Sequence, residues 1–122
     1  MMMGLAWDSI LSHYYDYVII VEGKKDALAL QALGFKKVYT VHDNGLSLRE
    51  RVEEISAQII RHEPVCILTD FDKRGKQLYI IVLQAMQDLG VRVDFTLRDL
   101  LLRARVSHIE GFYHYVSTHP TN

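Results

Sequence analysis

Glu22, Asp70 and Asp72 are the residues of this sequence whose type and spacing point to chemistry. Glu22 heads the segment Glu22-Gly23-Lys24-Lys25-Asp26, which follows the apolar run Tyr17-Val18-Ile19-Ile20-Val21. Asp70 heads Asp70-Phe71-Asp72-Lys73-Arg74-Gly75-Lys76, which follows Val65-Cys66-Ile67-Leu68-Thr69. In an extended segment alternate side chains point the same way, so Asp70 and Asp72 can both reach one ion. Carboxylates crowded at one point repel, and each tends to hold a proton unless a cation is present. A hard divalent cation answers that problem: Mg²⁺ prefers carboxylate oxygens together with retained water and substrate phosphates. The expected ligands are Glu22, Asp70 and Asp72, with Mg²⁺ as the ion and Mn²⁺ as its substitute. Five of the 14 basic residues, Lys24, Lys25, Lys73, Arg74 and Lys76, lie in the same two segments. They are suited to phosphate oxygens, and Gly23 and Gly75 let backbone approach a phosphate closely.

For these segments to meet, they must leave neighbouring strands at the same edge of a sheet. Tyr17 to Val21 reads as a strand buried on both faces, as in a parallel sheet. A helix over residues 25–33 follows, closed by Gly34 in a left-handed cap. Lys37 to Val41 is the second strand, with His42-Asp43-Asn44-Gly45 as its turn. Ser47 and Glu50 form a capping box that opens a helix. Leu48, Val52, Ile55 and Ile59 mark its buried stripe, and Pro64 stops it. Val65 to Thr69 is the third strand. A helix over 75–89 follows, with Leu78, Ile81, Val82, Ala85, Met86 and Leu89 on one face. Gly90 closes it, and Val91 to Phe95 is the fourth strand. An amphipathic helix over 5–15 precedes this core, and one or two helices over 97–116 follow it before a loose tail. Strand and helix alternate with short links, which predicts a compact three-layer α/β/α domain with a four-stranded parallel sheet. In such sheets ligands sit beyond the carboxyl ends of the strands, where strand order reverses. That placement requires strands one and three to be neighbours.

Composition bounds the rest. The chain has 122 residues, 49% hydrophobic and 24% charged, which is one ordinary globular domain with a full core. A net charge of −1 does not advertise a nucleic-acid binder, so any such binding must come from local clustering or from a partner. The lone cysteine, Cys66, reads as a small buried hydrophobe in a reducing compartment. No apolar run reaches membrane-spanning length, and the N-terminus does not read as a secretory signal, so a cytoplasmic location is expected.

The segments Val18-Ile19-Ile20-Val21-Glu22-Gly23-Lys24-Lys25-Asp26-Ala27-Leu28 and Ile67-Leu68-Thr69-Asp70-Phe71-Asp72-Lys73-Arg74-Gly75-Lys76 resemble the two hallmark motifs of the Toprim family. That family is the catalytic domain shared by topoisomerases, bacterial-type primases, OLD-type nucleases and the ribonuclease that matures 5S ribosomal RNA. The resemblance covers residues 17–95, and the short length with Ile109-Glu110-Gly111-Phe112 is most similar to small stand-alone Toprim proteins of archaea and bacteria. It implies Glu22 as general acid or base, Asp70 and Asp72 as Mg²⁺ ligands, and DNA or RNA as the partner. The accessory domains of topoisomerases and primases are not seen here, so neither whole activity is implied.

Two functions compete on this reading. One is a Mg²⁺-dependent nuclease or related phosphotransferase; the other is a module that uses the metal site to dock nucleic acid or a protein partner without cleaving it. A haloacid-dehalogenase phosphatase is disfavoured, because its D-x-D follows the first strand and Arg74 stands where it needs Thr or Val. A phosphorylation receiver needs an acidic pair after strand one, where Glu22 stands alone. The six histidines lack tight zinc spacing and read as surface or packing residues. Asp26 and Glu110 read as first-turn helix carboxylates. Asp43 and Asn44 read as turn residues with a supporting role at the metal left open. Tyr14, Tyr15 and Tyr17 read as core, and Arg92, Arg98, Arg103 and Arg105 as a solvated face, with a nucleic-acid track as the alternative. The N-terminal helix can pack on a second copy as readily as on its own sheet, which leaves a homo-oligomer open.

Overall fold

Side-chain alternation along one strand divides the protein into its layers. Strand β1 (Val18–Val21) is buried at every position. Ile19 and Val21 join one apolar cluster, while Val18 and Ile20 join another on the opposite face. The computed structural model describes residues 7–42, 45–60 and 62–118.

β1 is the centre of a parallel sheet. Strand β2 (Lys37–Thr40) lies on one side and β3 (Val65–Ile67) on the other, in the order β2-β1-β3. Val18 is level with Lys37 on one side and Val65 on the other. The chain moves outward from β1 to β2 and then crosses back to β3, so strand order reverses at β1. That reversal opens a crevice beyond the ends of β1 and β3.

Six helices among the described residues cover the two faces. On one face lie α1 (Trp7–Ser12), α2 (Lys24–Leu33), α5 (Thr96–Arg103) and α6 (Ile109–Thr118). They bury Trp7, Leu11, Leu30, Leu97, Leu101 and Phe112 against Ile19, Val21, Cys66 and Leu68. On the other, α3 (Leu48–Gln58) and α4 (Lys73–Asp88) bury Val52, Ile55, Val82, Ala85 and Met86 against Val18, Ile20, Val65 and Ile67. Each fully buried Leu, Ile or Val on these faces contributes roughly 1.5–3 kcal/mol relative to exposure. The three-layer architecture expected from the sequence is the one found.

Local signals explain the helix ends. Ser47 Oγ accepts the Glu50 N–H at 3.1 Å while Glu50 Oε1 accepts the Ser47 N–H at 3.1 Å, a complete capping box for α3. Gly34 ends α2 at φ +122°, where a Cβ would lie 3.1 Å from the Tyr15 ring. Trp7 meets Phe112 edge-on at 5.2 Å between ring centroids, so α1 packs on its own chain through α6.

Several elements differ from the sequence reading. The expected fourth strand, Val91 to Phe95, contracts to a single parallel bridge between Val93 and Val65. The Val65 N–H donates to the Arg92 carbonyl and the Asp94 N–H to the Val65 carbonyl. The Asp94 carboxylate then accepts both the N–H and the hydroxyl of Thr96, which turns the chain into α5 before a second pair forms. The sheet therefore has three strands. Helix α3 ends at Gln58, well before Pro64, because Ile59 is already extended. Helix α4 starts at Lys73, two residues ahead of Gly75. On α4 Val82, Ala85 and Met86 are buried, but Ile81 is 53% exposed and Leu89 37%. The C-terminal segment forms two helices, and α6 continues through Thr118. Among the described residues, no helix is long and apolar enough to cross a membrane.

Cys66 is fully buried in β3, and burial followed by the Asp94 charge pushes its thiol up to about 12. Only the thiolate reacts readily, so Cys66 is expected to resist an aromatic disulfide reagent at pH 8 in the native state and to react stoichiometrically in denaturant. Rapid native labelling would show that β3 opens.

Candidate functional site

The ends of β1 and β3 are joined by a side chain. Glu22, the first residue after β1, accepts the backbone N–H of Asp70 through Oε1 at 3.2 Å. The same turn at the end of β1 is tied to the chain just past β2, where the His42 N–H donates to the Glu22 carbonyl. Asp43 and Asn44, considered for a supporting role at the metal, lie outside the described residues.

Asp70 and Asp72 each anchor a helix. Asp72 is the N-cap of α4, and its Oδ1 accepts the Gly75 N–H at 2.7 Å. Asp70 Oδ1 accepts the N–H of Ile109, the first residue of α6, at 2.8 Å. Asp72 Oδ2 lies 3.4 Å from His108 Nε2. One ligand atom from each of Asp70, Asp72 and His108 lies within 4.8 Å of the others. Two carboxylates and an imidazole are donors of the kind that hold divalent metals, so the residues present fit such an ion. Glu22 stands beside this group, fixed through the Asp70 backbone.

Gly75 is required by the protein's own backbone. A Cβ there would fall 2.1 Å from the Asp70 carbonyl oxygen. Thr69, fully buried, donates its hydroxyl to the Gly75 carbonyl at 2.9 Å and closes the loop from below. Gly23 is different. It is the extended N-cap of α2, and a Cβ there would meet nothing within 4 Å. Lys24 and Lys25 open α2, and Lys73, Arg74 and Lys76 occupy the first turn of α4, all exposed. Both helices thus present positive dipole ends and cations at the same edge of the sheet.

Two residues near the site escaped the sequence reading. Arg98 of α5 is 9% exposed, not part of a solvated face. Its guanidinium lies between the rings of Phe71, 4.5 Å from the centroid, and Tyr79, at 3.9 Å. Its Nη1 donates to the carbonyls of Ile67 at 3.2 Å and Thr69 at 2.9 Å. Burial pulls its pKa down, an effect opposed by Tyr79, Asp99 and Asp70. An arginine in a C-terminal helix carries no local signal that it will reach under a distant loop. His108 is the second, and only its distance along the chain hid it. Asp26 is the first-turn carboxylate of α2 expected from the sequence, and its Oδ2 accepts the Gly23 N–H at 3.3 Å. Burial and then the charges of Asp70, Glu22 and Glu110 raise its pKa, so the acidic cluster is wider than the three expected carboxylates.

The arrangement defines a class. It is a parallel α/β domain whose reversal point collects carboxylates from adjacent strand ends, with helix N-termini and cations around them. The chain belongs to the Toprim family, whose domain model matches residues 16–96. The chain is 28% identical to a UPF0292 protein of Methanosarcina barkeri over 90% of this chain and 80% of that one. It is 30% identical to a UPF0292 protein of Methanosarcina acetivorans over 82% and 69%. A solved structure of a protein from Aquifex aeolicus shares the fold with a TM-score of 0.71 and 26% identity, over 86% of this chain and 94% of that one. Membership implies a metal-dependent function connected with nucleic acid, and the acidic cluster is where a divalent ion could bind.

Two substitutions test how this loop is held. Gly75→Ala forces the Asp70 carbonyl aside and is expected to cost about 3 kcal/mol in denaturant unfolding. Arg98→Met removes the charged donors to the Ile67 and Thr69 carbonyls and is expected to cost roughly 2–3 kcal/mol. Wild-type stability in either variant would contradict the packing described.

Proposed function

We propose that this chain is a Mg²⁺- or Mn²⁺-dependent enzyme that cleaves or transfers phosphodiesters of DNA or RNA. The observation that supports it most is the joining of Glu22 to Asp70 across adjacent strand ends, with Asp72 two residues further on. Asp70 and Asp72 would hold the ion through the carboxylate oxygens not committed to helix capping. When bound, a divalent ion neutralises charge developing on the phosphoryl oxygens and lowers the pKa of a bound water.

The remaining roles fall to the chain's own residues. Glu22 keeps Oε1 on the Asp70 amide, which fixes the carboxyl group and leaves Oε2 to take or give the proton of a nucleophile or leaving group. Lys24, Lys25, Lys73, Arg74 and Lys76 would hold non-bridging phosphate oxygens, aided by the N-terminal dipoles of α2 and α4. Gly23 leaves open space beside its backbone, so a phosphate could approach there.

The test is cleavage of end-labelled single-stranded and duplex DNA and of single-stranded and structured RNA, with Mg²⁺ or Mn²⁺. Wild type is expected to cleave at least one substrate, and Glu22→Gln to slow the reaction about 100-fold or more. Asp70→Asn and Asp72→Asn preserve a capping oxygen for α6 and α4, so loss of activity in them reports on the ion. Full activity in the Asp70→Asn, Asp72→Asn double variant would refute the mechanism. No cleavage by folded wild type would favour the second reading, a metal-dependent binding module, which the net charge of −1 also supports.

A further inference from the structure

The geometry points to His108 as a third protein ligand at the Asp70–Asp72 site, one that selects a first-row transition ion over Mg²⁺. This rests on the metal site proposed above and specifies which class of ion it takes.

The backbone, more than a chance rotamer, delivers His108. On one side of it the Ser107 carbonyl accepts the Phe71 N–H at 2.9 Å. On the other the Ile109 N–H donates to Asp70 Oδ1 at 2.8 Å. Residues 107 and 109 are thus both pinned to the segment that carries the two aspartates, and His108 has little choice of neighbours. Its Nε2 lies 3.4 Å from Asp72 Oδ2, within the group of ligand atoms that share a 4.8 Å radius of one another.

The ring also has an outer partner. Ser107 Oγ lies 3.1 Å from His108 Nδ1. In the tautomer whose Nδ1–H donates to that hydroxyl, Nε2 turns its lone pair toward the aspartates. Metal-binding histidines are held in this way, with the second nitrogen donating to a neighbouring acceptor. Asp70 Oδ1 and Asp72 Oδ1 already serve Ile109 and Gly75, which leaves the Oδ2 atoms for an ion, that of Asp72 being the one beside His108 Nε2.

Two carboxylate oxygens and one imidazole make a different site from an all-oxygen one. Mg²⁺ favours oxygen donors and retained water, whereas imidazole favours transition ions, whose affinity rises from Mn²⁺ towards Cu²⁺. His108 is exposed and contributes little packing, so replacing it should leave the fold intact.

The experiment is calorimetric titration with Mn²⁺ and, separately, Mg²⁺, on wild type, His108→Ala and the Asp70→Asn, Asp72→Asn double variant, each checked for an unchanged thermal midpoint. Wild type is expected to bind Mn²⁺ roughly tenfold or more tightly than Mg²⁺. His108→Ala should lower Mn²⁺ affinity roughly tenfold or more and leave Mg²⁺ affinity within about twofold. In a ¹⁵N spectrum of the side chains, Zn²⁺ should shift the His108 Nε2 resonance.

If His108→Ala binds Mn²⁺ as wild type does while the double aspartate variant loses it, the aspartate site stands and His108 is only an ion-pair partner of Asp72. Equal weakening of both ions by His108→Ala would likewise overturn the selectivity. Absence of saturable binding of either ion to wild type would remove the metal site itself, and His108 with it.

Discussion

The hydrogen bond from the Asp70 amide to the Glu22 carboxylate joins two residues 48 positions apart at the ends of adjacent parallel strands. Everything at the site follows from that junction. It requires β1 and β3 to be neighbours, which in turn requires the chain to cross back over β1 after β2. It also fixes the direction in which Asp70 leaves the sheet, and therefore where Asp72 and α4 begin. The buried core supplies the rigidity: Val18 to Val21 and Val65 to Ile67 are almost wholly excluded from solvent, so the strand ends cannot drift apart.

The second constraint is electrostatic. Glu22, Asp26, Asp70 and Asp72 gather in one place, and bare like charges would work against the fold. The protein offsets part of that cost with helix N-termini. Asp72 caps α4, Asp70 accepts the first N–H of α6, and Asp26 in the first turn of α2 accepts the Gly23 N–H. Each carboxylate thereby meets an unpaired backbone donor and the positive end of a helix dipole. Asp26, whose pKa is raised by burial and its acidic neighbours, shows that the offset is incomplete. For a group of this kind the folded state holds its proton more tightly than the unfolded state. Its contribution to stability therefore declines as pH rises from the unfolded pKa through the folded one. A bound cation works in the opposite direction, which is the physical link between this cluster and a divalent ion.

Much of this was legible in the sequence, because the relevant signals are local. The continuous apolar run before Glu22 marked a doubly buried strand, Ser47 with Glu50 marked a helix start, and Gly34 marked a helix end. The two acidic segments were readable as one site once strand order was inferred from the need to bring them together. What stayed hidden depends on long-range contact. Arg98 has the look of a surface arginine until α5 is seen to pass beneath the β3–α4 loop. His108 has no ligand spacing to another histidine, since its partners lie more than thirty residues away and meet it only after α6 docks. The fourth strand was lost to a side chain: Asp94 captures Thr96 and ends the pairing after one bridge. At Gly75 a constraint invisible in the sequence is added: the space its missing Cβ leaves is filled by the Asp70 carbonyl.

Binding of one divalent ion where Asp70 and Asp72 emerge from β3 is open to direct test. The most direct measurement is paramagnetic broadening of backbone amide resonances by substoichiometric Mn²⁺ in a ¹⁵N-labelled sample. The amides of residues 70–73 and 107–109, with those around Glu22, are expected to broaden first and together. Broadening centred on other carboxylates, such as Glu53 and Glu54 on α3, or spread evenly over the surface, would contradict it.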